Sequence, residues 1–491
     1  MTLISCNSLT KKEGPEAGKP NIIFIYADDL GSGLIGVNGQ KIIKTPSIDK
    51  LSRQGISFDH NYGCAFCLPA RASLLTGLHD AHKNAWNHVN GGAWIDYRKG
   101  KHSFKKTMER VDSLHLPIPQ DEVFLPQLLK KAGYFTAQVG KLEWGFSTTP
   151  NRLERHGWDH HFGYYDHKNG HGYYPKSLFR NGKEVFFTGN TSNNSKTPGP
   201  SYSQNLFLDE ILELIRNHQV DKPFFIYHPT QIPHGDIMIP EINSEFIDDE
   251  RLTKNQKKYA SMVKMLDDHI GIIMDELVVQ GIDNNTIVIF SVDNGHEVYY
   301  EPDHRLSYDE GKGLLSDKYD SEDDRDVFNG NNNLSGKKFS TWEGGIRVPL
   351  IVSWPGKIRP DSKSDLLVAN YDLMPTLADI SGIEMPEGKD GVSYLPTLLD
   401  KPEQVEHDFV IARGAVRYTA HRGAALVSRD GWKVRYFENE EVYMLYDLNS
   451  DPKEDYDLSL EYPKKLAELR KMFDKEFNSQ RRDINSDFLS Q

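Results

Sequence analysis

The stretch Asn21-Ile22-Ile23-Phe24-Ile25-Tyr26-Ala27, running directly into Asp28-Asp29, sets the fold class of this chain. A short apolar run without alternation suits a strand buried on both faces, the condition of a parallel sheet covered by helices. The same texture returns three times. Tyr134 to Val139 ends at Gly140-Lys141; Phe224 to His228 ends at Pro229 and is followed by Pro233-His234; Thr286 to Val292 ends at Asp293-Asn294-Gly295. Between these runs the spacing is helical: Pro46 to Gln54 with Ile48 and Leu51, Val123 to Lys131, and Lys257 to Val279. In the last of these Met262, Leu266, Ile270, Ile273 and Leu277 form one stripe. Strands alternating with helices predict an α/β domain, a large doubly wound mixed sheet flanked by helices. Ligands of such sheets bind outside the carboxyl ends of the strands. One acid there is ordinary loop chemistry; four polar deliveries to one edge indicate a site.

Composition narrows the class. The chain has 491 residues, a formal net charge of −13, 38% hydrophobic and 26% charged residues, enough for a large core and a second domain. The acidic balance excludes a nonspecific nucleic-acid binder, which needs a basic face. No run approaches the roughly 18 apolar residues of a membrane span. Three cysteines exclude a disulfide scaffold, so a cysteine that matters does so through reactivity. After about Asp400 the segments shorten: Val410 to Arg413, Ala424 to Val427, Trp432 to Phe437 and Tyr443 to Leu448 read as a small antiparallel sheet, with a helix near Pro463 to Glu476. The expected division is a flexible leader over 1–20, a catalytic domain over 21–400 and a smaller α+β domain over 401–491. Leu78 to Lys106 and Tyr299 to Leu334 are long irregular connections of the kind that form binding loops or disorder. Asp317 to Asp326 is acidic but lacks the glycine and bidentate glutamate of an EF-hand loop, and reads as solvated.

The chemistry centres on Cys67-Leu68-Pro69-Ala70-Arg71-Ala72-Ser73-Leu74-Leu75-Thr76-Gly77. Pro69 suits a first helical turn and Gly77 can end the helix. Cys67 then stands at the positive end, with free backbone N–H groups and Arg71 beside it, an anion-binding position. Read on its own, Cys67 is also open as a buried apolar filler, or, with Cys64, as a redox pair or half of a zinc site.

Here the sequence resembles the formylglycine-dependent sulfatases of the alkaline-phosphatase-like superfamily. Cys67-x-Pro69-Ala70-Arg71 with Leu75-Thr76-Gly77 matches their modification signature, in which the cysteine is oxidised to formylglycine. The resemblance implies metal ligands at Asp28, Asp29, Asp293 and Asn294 together with position 67. It implies a leaving-group histidine at His234 in Pro233-His234. A sulfate-binding lysine is implied at Lys338, five residues before Glu343-Gly344-Gly345-Ile346-Arg347-Val348-Pro349. Leu445-Tyr446-Asp447-Leu448 with Asp451-Pro452 is similar to the family's C-terminal domain.

Sulfate-ester cleavage explains these residue types. The negative sulfuryl group repels a nucleophile, so a hard divalent cation is needed to neutralise its oxygens. An all-oxygen donor set favours calcium, with magnesium second, over zinc. Lys141, Lys338 and Arg71 add fixed positive charge. A hydrated aldehyde at position 67 attacks sulfur and then expels sulfate, re-forming the carbonyl, while His234 protonates the departing sugar oxygen. One position departs from the family: Gly-Lys-x-His is here Gly140-Lys141-Leu142-Glu143. Glu143 is open as an elimination base, as a position relieved by a loop histidine (His82, His171 or His296), or as a mark of an impaired site. The expected substrate side comprises Glu143, His171, His296 and Trp94. The aromatic stretch from Phe162 to Pro175 and the loop carrying Trp86, His88, Trp94 and Asp96 stand beside it as sugar contacts or packing; Trp342 reads as core.

The expected function is hydrolysis of O-sulfate esters on a carbohydrate, on sulfated galactose or N-acetylhexosamine units. The expected partners are the sulfated glycan and a formylglycine-generating or sulfatase-maturating enzyme. Alternatives are a phosphoester or phosphonate monoester hydrolase of the same superfamily, or an inactive sulfated-glycan binder. Leu3-Ile4-Ser5-Cys6 is similar to a bacterial lipobox, although only Met1 and Thr2 precede it where a signal region would stand. It implies a lipid anchor at Cys6 and a periplasmic or outer-membrane, surface-tethered protein; a chance tetrapeptide is the other reading.

Overall fold

The computed structural model describes residues 18–82, 93–114, 122–145, 147–191, 196–219, 221–301, 310–318, 326–414, 423–477 and 479. Cys6, Trp86 and His88 lie outside them. Ten strands form the large sheet: β1 (Asn21–Ala27), β2 (Gly55–Tyr62), β3 (Phe135–Gly140), β4 (His160–Gly163), β5 (Ser177–Arg180), β6 (Lys183–Phe186), β7 (Phe224–Pro229), β8 (Thr286–Val292), β9 (Leu350–Ser353) and β10 (Ser362–Ala369). Their order is β10-β2-β9-β8-β1-β7-β3-β4-β5-β6. The centre, from β8 through β1, β7 and β3 to β4, is parallel, whereas β9, β5 and β6 run antiparallel to their neighbours. The sheet is mixed, as expected.

The apolar run of β1 is explained by what covers it. Ile23 and Ile25 face one cluster, built with α1 (Pro46–Arg53), α4 (Ser203–Arg216) and α5 (Lys254–Val279). Ile22, Phe24 and Tyr26 face a second cluster, built with α2 (Cys67–Thr76), α3 (Leu125–Lys131) and α6 (Leu373–Ser381). Each such side chain contributes about 1.5–3 kcal/mol on burial, so both faces pin the strand's register. The five-residue stripe of α5 is buried as its spacing required. That helix starts three residues before the expected point because Thr253 and Gln256 form a capping box.

A separate antiparallel sheet, β11 (Phe409–Arg413), β12 (Gly423–Ser428), β13 (Trp432–Phe437) and β14 (Val442–Asp447), packs on α7 (Pro463–Glu476) through Leu469 and Phe473. Among the described residues no helix is long and apolar enough to cross a membrane.

Candidate active site

β1 and β8 run parallel with Ala27 opposite Val292, so Asp28-Asp29 and Asp293-Asn294 leave the sheet side by side. Asp29 adopts φ 64°, a left-handed conformation that costs a side-chain-bearing residue about 1–3 kcal/mol. Its amide donates to Asp293 Oδ1 at 3.1 Å and its Oδ1 accepts from Asn294 Nδ2 at 2.7 Å, so the two strand ends hold each other. Gly295 is required here: a Cβ on it would stand 1.8 Å from the Gly344 carbonyl oxygen. At the end of β3, Gly140 has φ 150° and packs on the Pro229 carbonyl, to which the Lys141 amide donates at 2.8 Å. That turn sends the Lys141 ammonium to Asp28 Oδ2.

Helix α2 brings the thiol and the guanidinium. Cys67 opens the helix and Gly77, at φ 68°, closes it. One turn on, Arg71 reaches Asp28 Oδ2 at 3.3 Å and Asp293 Oδ2 at 3.2 Å. Lys338 donates to Asp29 Oδ2 at 2.7 Å, and its own amide is held by the His296 carbonyl at 2.8 Å. His234 Nε2 stands 3.6 Å from Asp29 Oδ2. The His234 Nδ1 bonds the Gly235 carbonyl, which only accepts, so Nδ1 carries a proton and Nε2 faces the site. All of these groups are buried.

The electrostatics follow from crowding three carboxylates and three cations in a dry space. Burial alone would raise the Asp28 carboxyl, but Lys141, Arg71 and Lys338 outweigh it and hold it at about 2. Asp293 goes the other way, pushed well up by burial and then by the Asp28 charge. Burial also raises the Cys67 thiol, against the pull of Lys141 and Lys338. His234 is pushed well down by burial and then by the same two lysines.

The residues fit a divalent ion. Asp28 Oδ1 and Asn294 Oδ1 are buried and accept no hydrogen bond among the described residues. Two such orphans cost about 1–3 kcal/mol each unless a cation completes them. Ligand atoms of Asp28, Cys67 and Asp293 lie within 4.8 Å of one another, as do those of Asp28, Asp29 and His234.

Comparison with known proteins agrees with this geometry. The Sulfatase family model matches residues 20–383, and the model for the C-terminal region of N-sulphoglucosamine sulphohydrolase matches residues 330–483. The chain belongs to the sulfatase family. It is 30% identical to the N-acetylgalactosamine-6-sulfatase of Mus musculus over 80% of its length and 69% of the mouse enzyme. It is 27% identical to the N-acetylgalactosamine-6-O-sulfatase of Bacteroides thetaiotaomicron over 96% of both chains. The crystal structure of Ps i-CgsB superposes with a TM-score of 0.73 at 26% identity over 94% of both chains; a second structure of that protein holds k-i-k-neocarrahexaose. The protein is thus a sulfuric ester hydrolase, and the phosphoester reading has no counterpart among these relatives.

The substrate-side residues of this sulfatase divide. His171 stacks on His234 with ring centroids 4.3 Å apart, and His167 stands edge-on to His171 at 4.0 Å, so three imidazoles line up beside Asp29. Glu143 points away from the cluster. Its Oε1 accepts from His156 Nδ1 and its Oε2 from Trp158 Nε1, both at 2.7 Å, and it is 1% exposed. Trp94 is core instead of a sugar platform: it packs on Tyr97, Phe104, Tyr165 and Phe179 and donates to the Thr148 carbonyl. His296 is fully buried between the Tyr259 and Tyr300 hydroxyls, 3.3 and 3.2 Å away, and its carbonyl holds the Lys338 amide. His82 bonds Asp390 and Ser479, which removes it as a substitute for the missing histidine. Asp96 pairs with Lys101 and Arg110. Tyr164, Tyr165, Tyr173 and Tyr174 are buried, so the aromatic stretch is mostly packing, and Trp342 is core as expected. Two residues of the site were not picked out individually by the sequence, although each falls inside a stretch that was. Tyr299 donates its hydroxyl to Asp29 and lies 3.3 Å from the Lys338 ammonium; His167 belongs to a loop without periodicity. Tyr299 opens the long irregular connection 299–334 and His167 lies inside the aromatic stretch 162–175, so the stretches carried a signal and the single residues did not.

Proposed function

We propose that this sulfatase removes 6-O-sulfate from N-acetylgalactosamine or galactose units of a glycan, with formylglycine at position 67 and calcium held by Asp28, Asp29, Asp293 and Asn294. The observation that carries the reading is the pair of orphaned oxygens, Asp28 Oδ1 and Asn294 Oδ1, buried beside Cys67 and the cations Lys141, Arg71 and Lys338. The sugar is suggested by the named activity of the mouse and Bacteroides thetaiotaomicron relatives. When bound, the ion would offset sulfate charge and polarise sulfur, and formylglycine would supply a hydrated aldehyde in place of the inert thiol.

This chain's own groups do the rest. Lys141, Arg71 and Lys338 form the sulfate cradle, held in place before substrate arrives by Asp28, Asp29 and Asp293. A fixed donor in such a dry site is worth about 2.7–4 kcal/mol. His234 exchanges its proton at Nε2, since Nδ1 is committed to the Gly235 carbonyl. The depressing influence of Lys141 and Lys338 on this imidazole is what a bound sulfate would offset. His171, stacked on His234, takes the place of the histidine that the Gly140-Lys141-Leu142-Glu143 segment lacks. Maturation needs a formylglycine-generating partner, and the anchor at Cys6 would hold the enzyme at a bacterial surface.

The test is protein whose Cys67 conversion is verified by peptide mass, assayed on 6-O- and 4-O-sulfated N-acetylgalactosamine and galactose and on matched phosphate esters. Sulfate release from the 6-O-sulfated sugars, lost on chelation and restored best by calcium, is expected. Converted protein that releases no sulfate from any of them would refute the substrate assignment.

A further inference from the structure

A second cluster of ligating side chains lies outside the catalytic centre, where the residues following α2 meet the loop at Asp390 and the last turn of α7. His79 and His82 follow the Gly77 turn, and their rings stack at 3.8 Å and 15°. The backbone fixes the assembly: the amides of Asp390 and Gly391 donate to the Gly77 carbonyl at 2.9 and 3.2 Å, and the His79 amide donates to Asp390 Oδ2 at 3.0 Å. Into this frame His79 turns an imidazole that is 4% exposed and whose two ring nitrogens make no hydrogen bond among the described residues. Its Nε2 stands 3.8 Å from both Asp390 Oδ2 and Glu476 Oε2, and His82 Nε2 is 2.7 Å from the same Asp390 oxygen. A buried imidazole with neither donor nor acceptor satisfied, facing two carboxylates and a second imidazole, lacks a partner of positive charge.

We propose that His79, His82 and Asp390, whose ligand atoms all lie within 4.8 Å of one another, bind a divalent transition-metal ion of the zinc class that ties the residues after α2 to the loop at Asp390, with the Glu476 carboxylate beside it. Two imidazole nitrogens and one carboxylate oxygen, with solvent in the fourth position, are a zinc-type donor set, whereas the catalytic oxygens suit a hard alkaline-earth ion. Bonds of roughly 2.0–2.2 Å in a tetrahedral site put ligands about 3.3–3.6 Å apart, and Asp390 Oδ2 stands 2.7 Å from His82 Nε2 and 3.8 Å from His79 Nε2, on either side of that range. The ion takes the lone pair of His82 Nε2, so the neutral ring carries its one proton on Nδ1 and donates it to Ser479 Oγ. Ser479 Oγ, 2.7 Å from His82 Nδ1, fixes the ring so that Nε2 faces the ion.

The experiment uses the whole enzyme, stripped by chelator, reloaded with excess calcium and then titrated with zinc or cobalt. One transition-metal ion per chain beyond calcium, the intense visible bands of four-coordinate cobalt, and a rise in Tm are expected. His79→Gln and Asp390→Asn should each weaken zinc binding by at least ~10–100-fold, the loss that disturbing even an outer partner of a metal brings. The wild-type cobalt spectrum does not depend on either variant folding. No uptake of zinc or cobalt, six-coordinate cobalt bands, or uptake unchanged in both variants would overturn the proposal, the last because the ion would then sit on the catalytic oxygens.

Discussion

His234 and Glu143 are both buried residues beside the sulfate cradle, yet their hydrogen bonds assign them opposite roles. With Nδ1 tied to Gly235 and Nε2 3.6 Å from Asp29, His234 is free to serve a leaving oxygen. His234→Ala should lower kcat on a sugar sulfate by ~10²–10⁴. An aryl sulfate, whose phenolate departs without a proton, should lose far less. Parallel measurements of kcat on both substrates check this, and equal losses would refute the proton role. Glu143 is spent on His156 and Trp158. Glu143→Gln should therefore leave turnover within about threefold, since no reacting atom depends on the charge. Glu143→Ala, which strands the buried His156 and Trp158 donors at about 1–3 kcal/mol each and also the weaker Thr148 hydroxyl, should lower Tm sharply in thermal denaturation. The Cys67 segment and the strand-end acids could be read because their chemistry requires fixed residue types at fixed places. Trp94 misled, and the tyrosines near Tyr165 stayed open between sugar contact and packing, because a ring that can stack on a sugar is equally good core. Tyr299 and His167 stood inside segments marked as candidate binding loops, but loops carry no period that picks out one residue.

Helix α1 shows what element-level reading can and cannot reach. Ile48 and Leu51 announce the helix, but Thr45 at its N-cap makes no side-chain cap. The cap comes from α5, where Asp267 Oδ1 accepts from the Ser47 and Ile48 amides at 2.9 and 2.8 Å. A cap supplied from some 220 residues away leaves no local signature, so the helices were legible and their joining was not. Asp267→Ala should destabilise the protein by about 1–3 kcal/mol through the two orphaned amides. Asn should behave differently. Burial pushes the Asp267 carboxyl up from 3.8 to about 6, so its stabilising contribution is full below about 4 and fades as pH rises through 6. Asp267→Asn keeps the acceptor and cannot ionise. Its Tm relative to wild type should therefore climb between pH 4 and 7, and a constant difference would show that ionisation at this site costs nothing.

At the scale of the molecule, the two sheets are joined by charges that no stretch of sequence brings together. Lys433 on β13 is fully buried and lies 2.9 Å from both Glu343 and Glu454. Glu343 also accepts from the Tyr62 hydroxyl at 3.0 Å, and its amide donates to Glu454 at 2.7 Å. One cation serves two carboxylates: Glu454 is pushed up by burial, with Glu343 adding to the rise, whereas Lys433 and Arg347 overcome burial to hold Glu343 down. The two sheets were foreseeable from the change of segment length near Asp400, but this tie was not, because its members look like ordinary surface charges. Glu343 begins the turn five residues after Lys338, so the tie also braces the segment that carries the sulfate-cradle lysine. Lys433→Met leaves a buried carboxylate without its main partner, a change that costs about 3–5 kcal/mol. Adding Glu343→Gln to that variant should recover part of the loss, because the stranded charge is then gone. Differential scanning calorimetry of the two single variants and the double variant gives the coupling directly. Strict additivity would mean that the sheets are held by their apolar contacts alone, and a double variant more stable than Lys433→Met would establish the charged tie as one unit.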